Sequence, residues 1–384
     1  MIIFLIIAFI LIFVYIWGYI ICLISSFKKD KKEKILINKD FSFTCLICAH
    51  NEEKTINKTI EDLLKQDYKN KDIYVILDNC TDNTENIVNK YKVNKIIKNT
   101  KSTCKGDALN YSYDYLTKNN KLNDIIVIFD ADSNIDKDFL TKLNNKYKTG
   151  SQVVMTNTDS SNPYDNVITN WYLFYWKMVS VLSRESHSKL NLSSNISGSG
   201  ISFKKEHIIK TKTITEDTEL FFIYSKNNIK IDYVNTSTYQ EQPTTFKQLF
   251  NQLYRWNNGD IKINKLFKKD YLKSLIKDFN LTKLDAYFTS QNCGTLGRLV
   301  LIFIIMLIIS IFYNELFKYL LILFLIYIVL TTVTAIIITI KSKLKIRKVY
   351  KGILTYFLFL IILGLIYDYA LIKPSDEWIK IDRK

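Results

Sequence analysis

Acid is in short supply in this chain: 37 Asp and Glu stand against 53 Lys and Arg, a formal net charge of +16 over 384 residues. An excess of base ordinarily raises nucleic acid as a partner. Here the densest basic runs, six lysines in 28–39 and six Lys or Arg without an acid in 341–351, flank apolar blocks instead. That is the positive-inside pattern of a membrane protein facing anionic lipid, and it argues against nucleic acid. Charge is missing altogether from 2–24, 299–313, 319–340 and 352–367. No Walker A or G-x-G-x-x-G pattern occurs, so no glycine-rich loop is available to cradle phosphates. The six cysteines (22, 45, 48, 80, 104 and 293) make no disulfide framework. Cys45 and Cys48 form a lone C-x-x-C in an apolar run with no second pair to complete a zinc site, and read as core residues of a reducing cytosol. What the chain does have, 25 Tyr and 23 Phe, excludes disorder. Its mean hydropathy of +0.01 averages a polar middle and apolar ends, which excludes an ordinary soluble protein.

Residues 2–24 are long enough to cross a bilayer, where about 20 apolar residues suffice. With no basic n-region and no A-x-A-like cleavage site, they read as a retained anchor. Three more candidate spans follow at 297–313, 319–340 and 352–372. The expected organisation is an anchor (1–27), a cytoplasmic domain with interfacial helices (28–280), a C-terminal membrane region (281–373) and a tail (374–384). The basic loop 341–351 falls on the inside by span counting, and the tail then falls outside unless one segment is re-entrant.

The middle of the chain alternates. FSFTCLICAHNEE (41–53), KDIYVILDNCTDNT (71–84) and IIVIFDADSNID (125–136) each read as a buried strand ending in a polar turn, and 54–66 has helical spacing. Alternation of this kind predicts an α/β fold with a mostly parallel sheet whose ligands gather at strand C-terminal ends. Pro163 and Pro243 precede the aromatic helical stretches 164–184 and 244–259, and Pro374 follows the last span. The stretch 164–184 suits a membrane-surface helix and an aromatic core helix equally.

Three groups carry chemistry. Asp130 and Asp132 put two carboxylates after the strand IIVIF, where they read either as oxygen ligands for a hard divalent cation or as a chance pair or helix cap. Glu216 and Asp217 in ITEDTEL read either as part of a helix cap around Thr215 or as a general base. Gln252, Arg255 and Trp256 share one helical face, with Arg suited to phosphate and Trp to a sugar ring.

In order, Asn51-Glu52-Glu53, Asp78 in LDNCTDNT, KGDAL (105–109), DAD (130–132), ISGSG (196–200), TED (215–217) and QLYRW (252–256) resemble the membrane-embedded family 2 glycosyltransferases. That group includes cellulose, hyaluronan, chitin and poly-N-acetylglucosamine synthases. The resemblance covers about 40–260 plus the flanking spans, and DEWIKIDRK (376–384) resembles the ending of several members. Two departures stand out: Leu77 replaces the first Asp of the usual V-D-D-G-S-T-D turn, and His50 replaces the Tyr of P-A-Y-N-E-E. The first weakens inference about how uracil is held.

The resemblance implies a GT-A-type domain with N- and C-terminal transmembrane helices, in a multi-pass protein of the cell membrane. It implies that Asp78 and the turn around Asn51 and Glu52 hold uridine, with Lys105 near it. Asp132 with Asp130 would hold Mg²⁺ or Mn²⁺ on the diphosphate of a UDP-sugar. Asp217 would be the base, beside Glu216, while Gln252, Arg255 and Trp256 close over diphosphate and acceptor. UDP-N-acetylglucosamine is the expected donor and a β-linked polysaccharide the expected product. The alternative is a single transfer to a membrane lipid such as diacylglycerol or polyprenyl phosphate. Few spans for a channel suggest a small membrane subunit or a homo-oligomer. A non-catalytic scaffold would have lost one of DAD, TED or Q-x-x-R-W, all of which are intact. A transporter is disfavoured by spans almost without charge.

Overall fold

The computed structural model describes residues 2–29 and 33–375. Three residues of the first lysine-rich run (30–32) and the tail 376–384 lie outside the described residues. In chain order the elements are α1 (Ile2–Ser26), β1 (Phe43–Ala49), α2 (Ile56–Leu64), β2 (Lys71–Asp78), α3 (Thr84–Val88), β3 (Asn94–Lys98), α4 (Lys105–Lys118) and β4 (Ile125–Asp130). Then come β5 (Asn134–Ile135), α5 (Phe139–Lys148), β6 (Val153–Ser160), α6 (Val167–Met178), a π-helical stretch Val179–Glu185, α7 (Ser186–Lys189), β7 (Ser202–Lys204), α8 (Glu216–Lys226) and β8 (Ile231–Gln240). The chain continues with α9 (Phe246–Lys277), α10 (Leu281–Ser290), α11 (Asn292–Ser310), α12 (Asn314–Lys341) and α13 (Ile346–Ile372).

The strands form one sheet in the order β3-β2-β1-β4-β7-β6-β8-β5. It is parallel through β3, β2, β1 and β4, as the apolar runs predict, and mixed beyond, with β7 antiparallel to both β4 and β6. The fully buried runs of β1 and β4 explain their central place, because a strand covered on both faces tolerates no polar alternation. One apolar cluster fills each face: Leu46, Ile76, Ile128 and Phe203 on one side, Phe43, Val75, Val127 and Phe139 on the other.

A third cluster joins the sheet domain to the apolar helices. Trp171, Tyr172 and Phe174 of α6 and Leu249 and Leu253 of α9 pack with Tyr356, Phe359 and Leu363 of α13. Trp171 Nε1 also donates to Thr355 Oγ1 at 2.9 Å. Of the two readings of 164–184, the core helix is therefore the one observed for α6. Its start is fixed by a capping box between Asn166 and Thr169, and that of α9 by one between Thr245 and Gln248. Helix α9 runs 18 residues past Gly259, where the sequence pattern ends, because its later turns bury Ile261, Ile263, Tyr271 and Leu275.

Among the described residues, four helices are long and apolar enough to cross a membrane: Phe9–Ser26, Asn292–Ser310, Glu315–Lys341 and Ile346–Ile372. The third-last of these begins five residues before the expected 297. Gly294 and Gly297 let its polar first turns seat closely against Tyr367 and Gly364 of α13.

Candidate active site

The parallel half of the sheet brings the C-terminal ends of β1, β2 and β4 to one edge. The turns after β1 and β2 are tied to each other. Asn51, in the left-handed region at φ 57°, accepts from the Thr81 and Asp82 N–H groups at 2.7 and 3.3 Å. The Glu52 N–H donates to Thr84 Oγ1 at 2.8 Å, and His50 Nδ1 donates to the Asp78 carbonyl at 2.6 Å. His50 thus braces the β2 turn. Asp78 is nearly buried; its Oδ1 accepts from Ser102 Oγ at 2.7 Å and lies 3.7 Å from Lys98 Nζ.

At the end of β4, Asp130 is held from three sides. Its Oδ1 meets Lys105 Nζ at 2.6 Å, its Oδ2 accepts from Gln240 Nε2 at 2.6 Å, and its N–H donates to Ser199 Oγ at 3.1 Å. Lys105 also reaches Glu216 Oε1 at 2.8 Å. The lysine expected beside the uridine turn therefore sits between two carboxylates at the centre of the site. Burial opposes its charge, but Asp130 and Glu216 outweigh it and raise its affinity for the proton. Burial, followed by the charges of Asp217 and Asp130, raises the Glu216 carboxyl against the pull of Lys105.

TED does not act as a helix cap: Thr215 makes no capping hydrogen bond, and its hydroxyl is buried without a partner. Asp217 is held instead by two backbone donors, Gly198 N to Oδ2 at 2.7 Å and Thr218 N to Oδ1 at 2.8 Å. Gly198 owes this position to a positive φ of 67°. The loop around it is anchored by Arg184 of the π-helical stretch. That guanidinium is fully buried and donates to the Thr156 carbonyl at 2.7 Å, to Ser197 Oγ and to Asn195 Oδ1. Burial pushes it down to about 10.

On α9, Gln252, Arg255 and Trp256 do face one way. Trp256 stacks on Tyr175 at 6.4 Å between ring centroids and meets Trp176 edge-on at 5.8 Å. Gln252 Oε1 is buried without a hydrogen-bond partner among the described residues. Burial lowers the Arg255 guanidinium, against the pull of Asp130, Glu216 and Asp217.

All eleven residues singled out from the sequence line one cavity of about 1070 Å³. It runs from Asn51, Glu52 and Asp78, past Asp130, Asp132 and Asp217, to Tyr19, Leu296, Tyr356 and Leu360 of the apolar helices. Sequence reasoning missed Gln240, Ser199, Arg184 and Asp260. Asp260 stands four residues after Trp256, on the same helical face, a spacing that flags it. Ser199 lay inside ISGSG with no role attached, and Arg184 and Gln240 carried no local signal.

Residues 44–211 match the profile of Glycosyl transferase family 2. The chain carries a family 2 glycosyltransferase domain. Over 246 residues it is 26% identical to a poly-beta-1,6-N-acetyl-D-glucosamine synthase of Staphylococcus aureus, an alignment covering 60% of this chain and 57% of that protein. The chain thus spans a little over half the length of that relative. A shorter stretch of 63 residues is 43% identical to the Escherichia coli UDP-Glc:alpha-D-GlcNAc-diphosphoundecaprenol beta-1,3-glucosyltransferase WfaP, covering 16% of this chain and 25% of that one. Among solved structures, the mannosyltransferase PcManGT of Pyrobaculum calidifontis, determined with GDP-Man and Mn²⁺, superposes with a TM-score of 0.58 at 14% identity. It covers 94% of this chain and 99% of its own, and shares the glycosyltransferase domain's fold.

Proposed function

We propose that the protein is a membrane-embedded inverting glycosyltransferase that extends a β-linked polysaccharide from a UDP-sugar, with UDP-N-acetylglucosamine as donor. The observation that carries this reading is the continuous cavity joining the turns at Asp78, Asp130 and Asp217 to the apolar helices. The name of the staphylococcal relative supports the donor and the polymer.

In this reading the domain faces the cytoplasm. Uridine lies against Asp78 and the Asn51–Glu52 turn, and the diphosphate lies toward Arg255. The acceptor hydroxyl attacks the anomeric carbon; the C–O bond to phosphate breaks and its electron pair leaves with UDP. Asp217 takes the hydroxyl proton, and a sugar α-linked in the donor emerges β-linked. The two backbone donors on Asp217 fix the lone pairs that remain for that proton. Asp132 and Asp130 suit a hard divalent cation. Both line the cavity, and Asp132 and Asp130 would be the residues to hold such a Mg²⁺ or Mn²⁺ ion. When bound, such an ion neutralises charge on the departing diphosphate.

A second reading, transfer to a membrane lipid, is favoured by the apolar wall that Leu296, Leu360 and Leu363 give the cavity. UDP release by the full chain in detergent, over a panel of UDP-sugars with Mn²⁺ or Mg²⁺ and with product sizing, separates the two. A high-mass product that depends on metal and is lost in Asp217→Asn is expected. A small, lipid-extractable product selects the second reading, and no turnover with any donor overturns both.

A further inference from the structure

Asp260 belongs to none of the motifs above, yet it stands where the base does. Helix α9 approaches the TED turn so closely that a Cβ on Gly259 would lie 2.2 Å from Thr215 Cγ2 and 2.4 Å from its Oγ1. So close a seat of the Gly259 backbone on the Thr215 side chain fixes residues 259–260 against residues 215–218. Across it, Thr218 Oγ1 donates to Asp260 Oδ1 at 3.2 Å, while the Thr218 N–H donates to Asp217 Oδ1 at 2.8 Å. One threonine therefore links the two carboxylates, and both line the cavity.

We propose that Asp260 is a positioning residue for Asp217: it holds Thr218 by the hydroxyl and presents a second carboxylate behind the proton-accepting one. The proposal rests on the reading of Asp217 as base. Chemically, a negative charge beside a carboxylate raises its affinity for a proton and so makes it a stronger base. Among the described residues, the groups that face Asp260 are Asp217 of α8, Tyr175 of α6, Cys293 of α11 and Tyr367 of α13, none of them a cation. Burial, and then the charge of Asp217, push the Asp260 carboxyl up to about 7, with only the Thr218 hydrogen bond acting against them. Asp260 is accordingly neutral in mild acid and charged in mild base. The second charge beside the proton-accepting oxygen appears only as Asp260 ionises, so turnover climbs through a limb near neutrality.

The test uses the full chain in lipid nanodiscs and follows UDP release, with Mn²⁺, from the UDP-sugar turned over in the panel above. Asp260→Asn, Asp260→Glu and Asp217→Asn are measured from pH 5.5 to 9, with UDP affinity by calorimetry for each. Asparagine keeps an acceptor for Thr218 but carries no charge. It should flatten the limb, lowering kcat at pH 8 by about three- to tenfold with KM and UDP affinity unchanged. Asp260→Glu should keep the limb. A limb that persists in Asp260→Asn, or a loss of UDP affinity together with kcat, overturns the proposal in favour of a merely structural residue. Turnover surviving in Asp217→Asn removes the base and this proposal with it, as does absence of turnover with every donor. An inactive Asp217→Asn beside an unaltered limb in Asp260→Asn refutes this proposal alone.

Discussion

Gly259 offers a sharp test of whether the contact between α9 and the TED turn governs the chemistry. In Gly259→Ala the new methyl carbon would lie 2.2 Å from Thr215 Cγ2, 2.4 Å from Oγ1 and 2.9 Å from Cβ. Carbon atoms in ordinary contact stay about 3.5–4.0 Å apart, so the helix or the turn must retreat by roughly 1–2 Å. Thr215 has no long flexible arm to swing away and is itself buried. Overpacking on this scale costs about 1–3 kcal/mol of stability. The larger effect falls on rate, because Glu216 and Asp217 follow Thr215 directly, and a misplacement of about 1 Å costs on the order of 100-fold. Thr215→Gly clears all three clashing atoms. Since that hydroxyl makes no hydrogen bond, little else is lost with it. The assay is a double-mutant cycle in kcat and in thermal unfolding, with each single variant and the pair. The pair should recover most of the rate lost by Gly259→Ala. Wild-type kcat in Gly259→Ala, or a pair no faster than the single variant, would refute the reasoning.

Lys105→Met strips Asp130 and Glu216 of their shared cation and should cost on the order of 2–4 kcal/mol at pH 8. The loss should shrink as pH falls, because burial raises the Glu216 carboxyl and it gives up its charge sooner than an ordinary glutamate; losses in thermal melts that do not change with pH would contradict this. Asp260 gives a stability signature of its own, for its carboxyl keeps its proton up to about 7 in the folded chain. Its contribution is complete below the ordinary carboxylate range and disappears as pH rises to neutrality. Asp260→Asn should therefore melt higher than wild type at pH 8, by on the order of 1–3 kcal/mol, and equally near pH 4. Arg184→Met leaves the Thr156 carbonyl buried and releases Ser197, loosening the loop that places Gly198 on Asp217. It should lower kcat at least about tenfold while leaving UDP affinity intact, and a parallel fall in both would count against the positioning role.

How far the sequence could be read follows from which interactions are local. Strands β1, β2 and β4 announce themselves through largely apolar runs, since burial on both faces leaves little room for polar residues. The spans do so by length and lack of charge. Strand β7, three residues long, has no periodicity to detect, and with it the antiparallel half of the sheet stayed hidden. The acids of the site were legible because they close strands or open a helix. Their partners were not, because Gln240 lies 110 residues from Asp130 and Arg184 lies 33 residues before Asp217. The carboxylate partners of Lys105 were hidden for the same reason: they come from β4 and α8, and only the folded sheet puts them side by side.

That distribution bears on how the site works. Asp217 takes its geometry from three separate parts of the fold, the loop at Gly198, its own helix through Thr218, and α9 through Gly259 and Asp260. Its electrostatic surroundings are likewise divided, with the Arg184 guanidinium on one side and the Asp260 carboxylate on another. The same helix that supplies Asp260 carries Gln252, Arg255 and Trp256 and packs on α13. A displacement of α9 would therefore move Gln252, Arg255, Trp256 and Asp260 and the seat of α9 on the apolar helices together. On the proposed function, in which the polymer advances one sugar after each transfer, α9 would join that advance to the surroundings of Asp217. Variants at the α9–α13 contact, such as Leu253→Ala, should then change product length and the pH dependence of kcat in step. Independent changes in the two would separate elongation from the base.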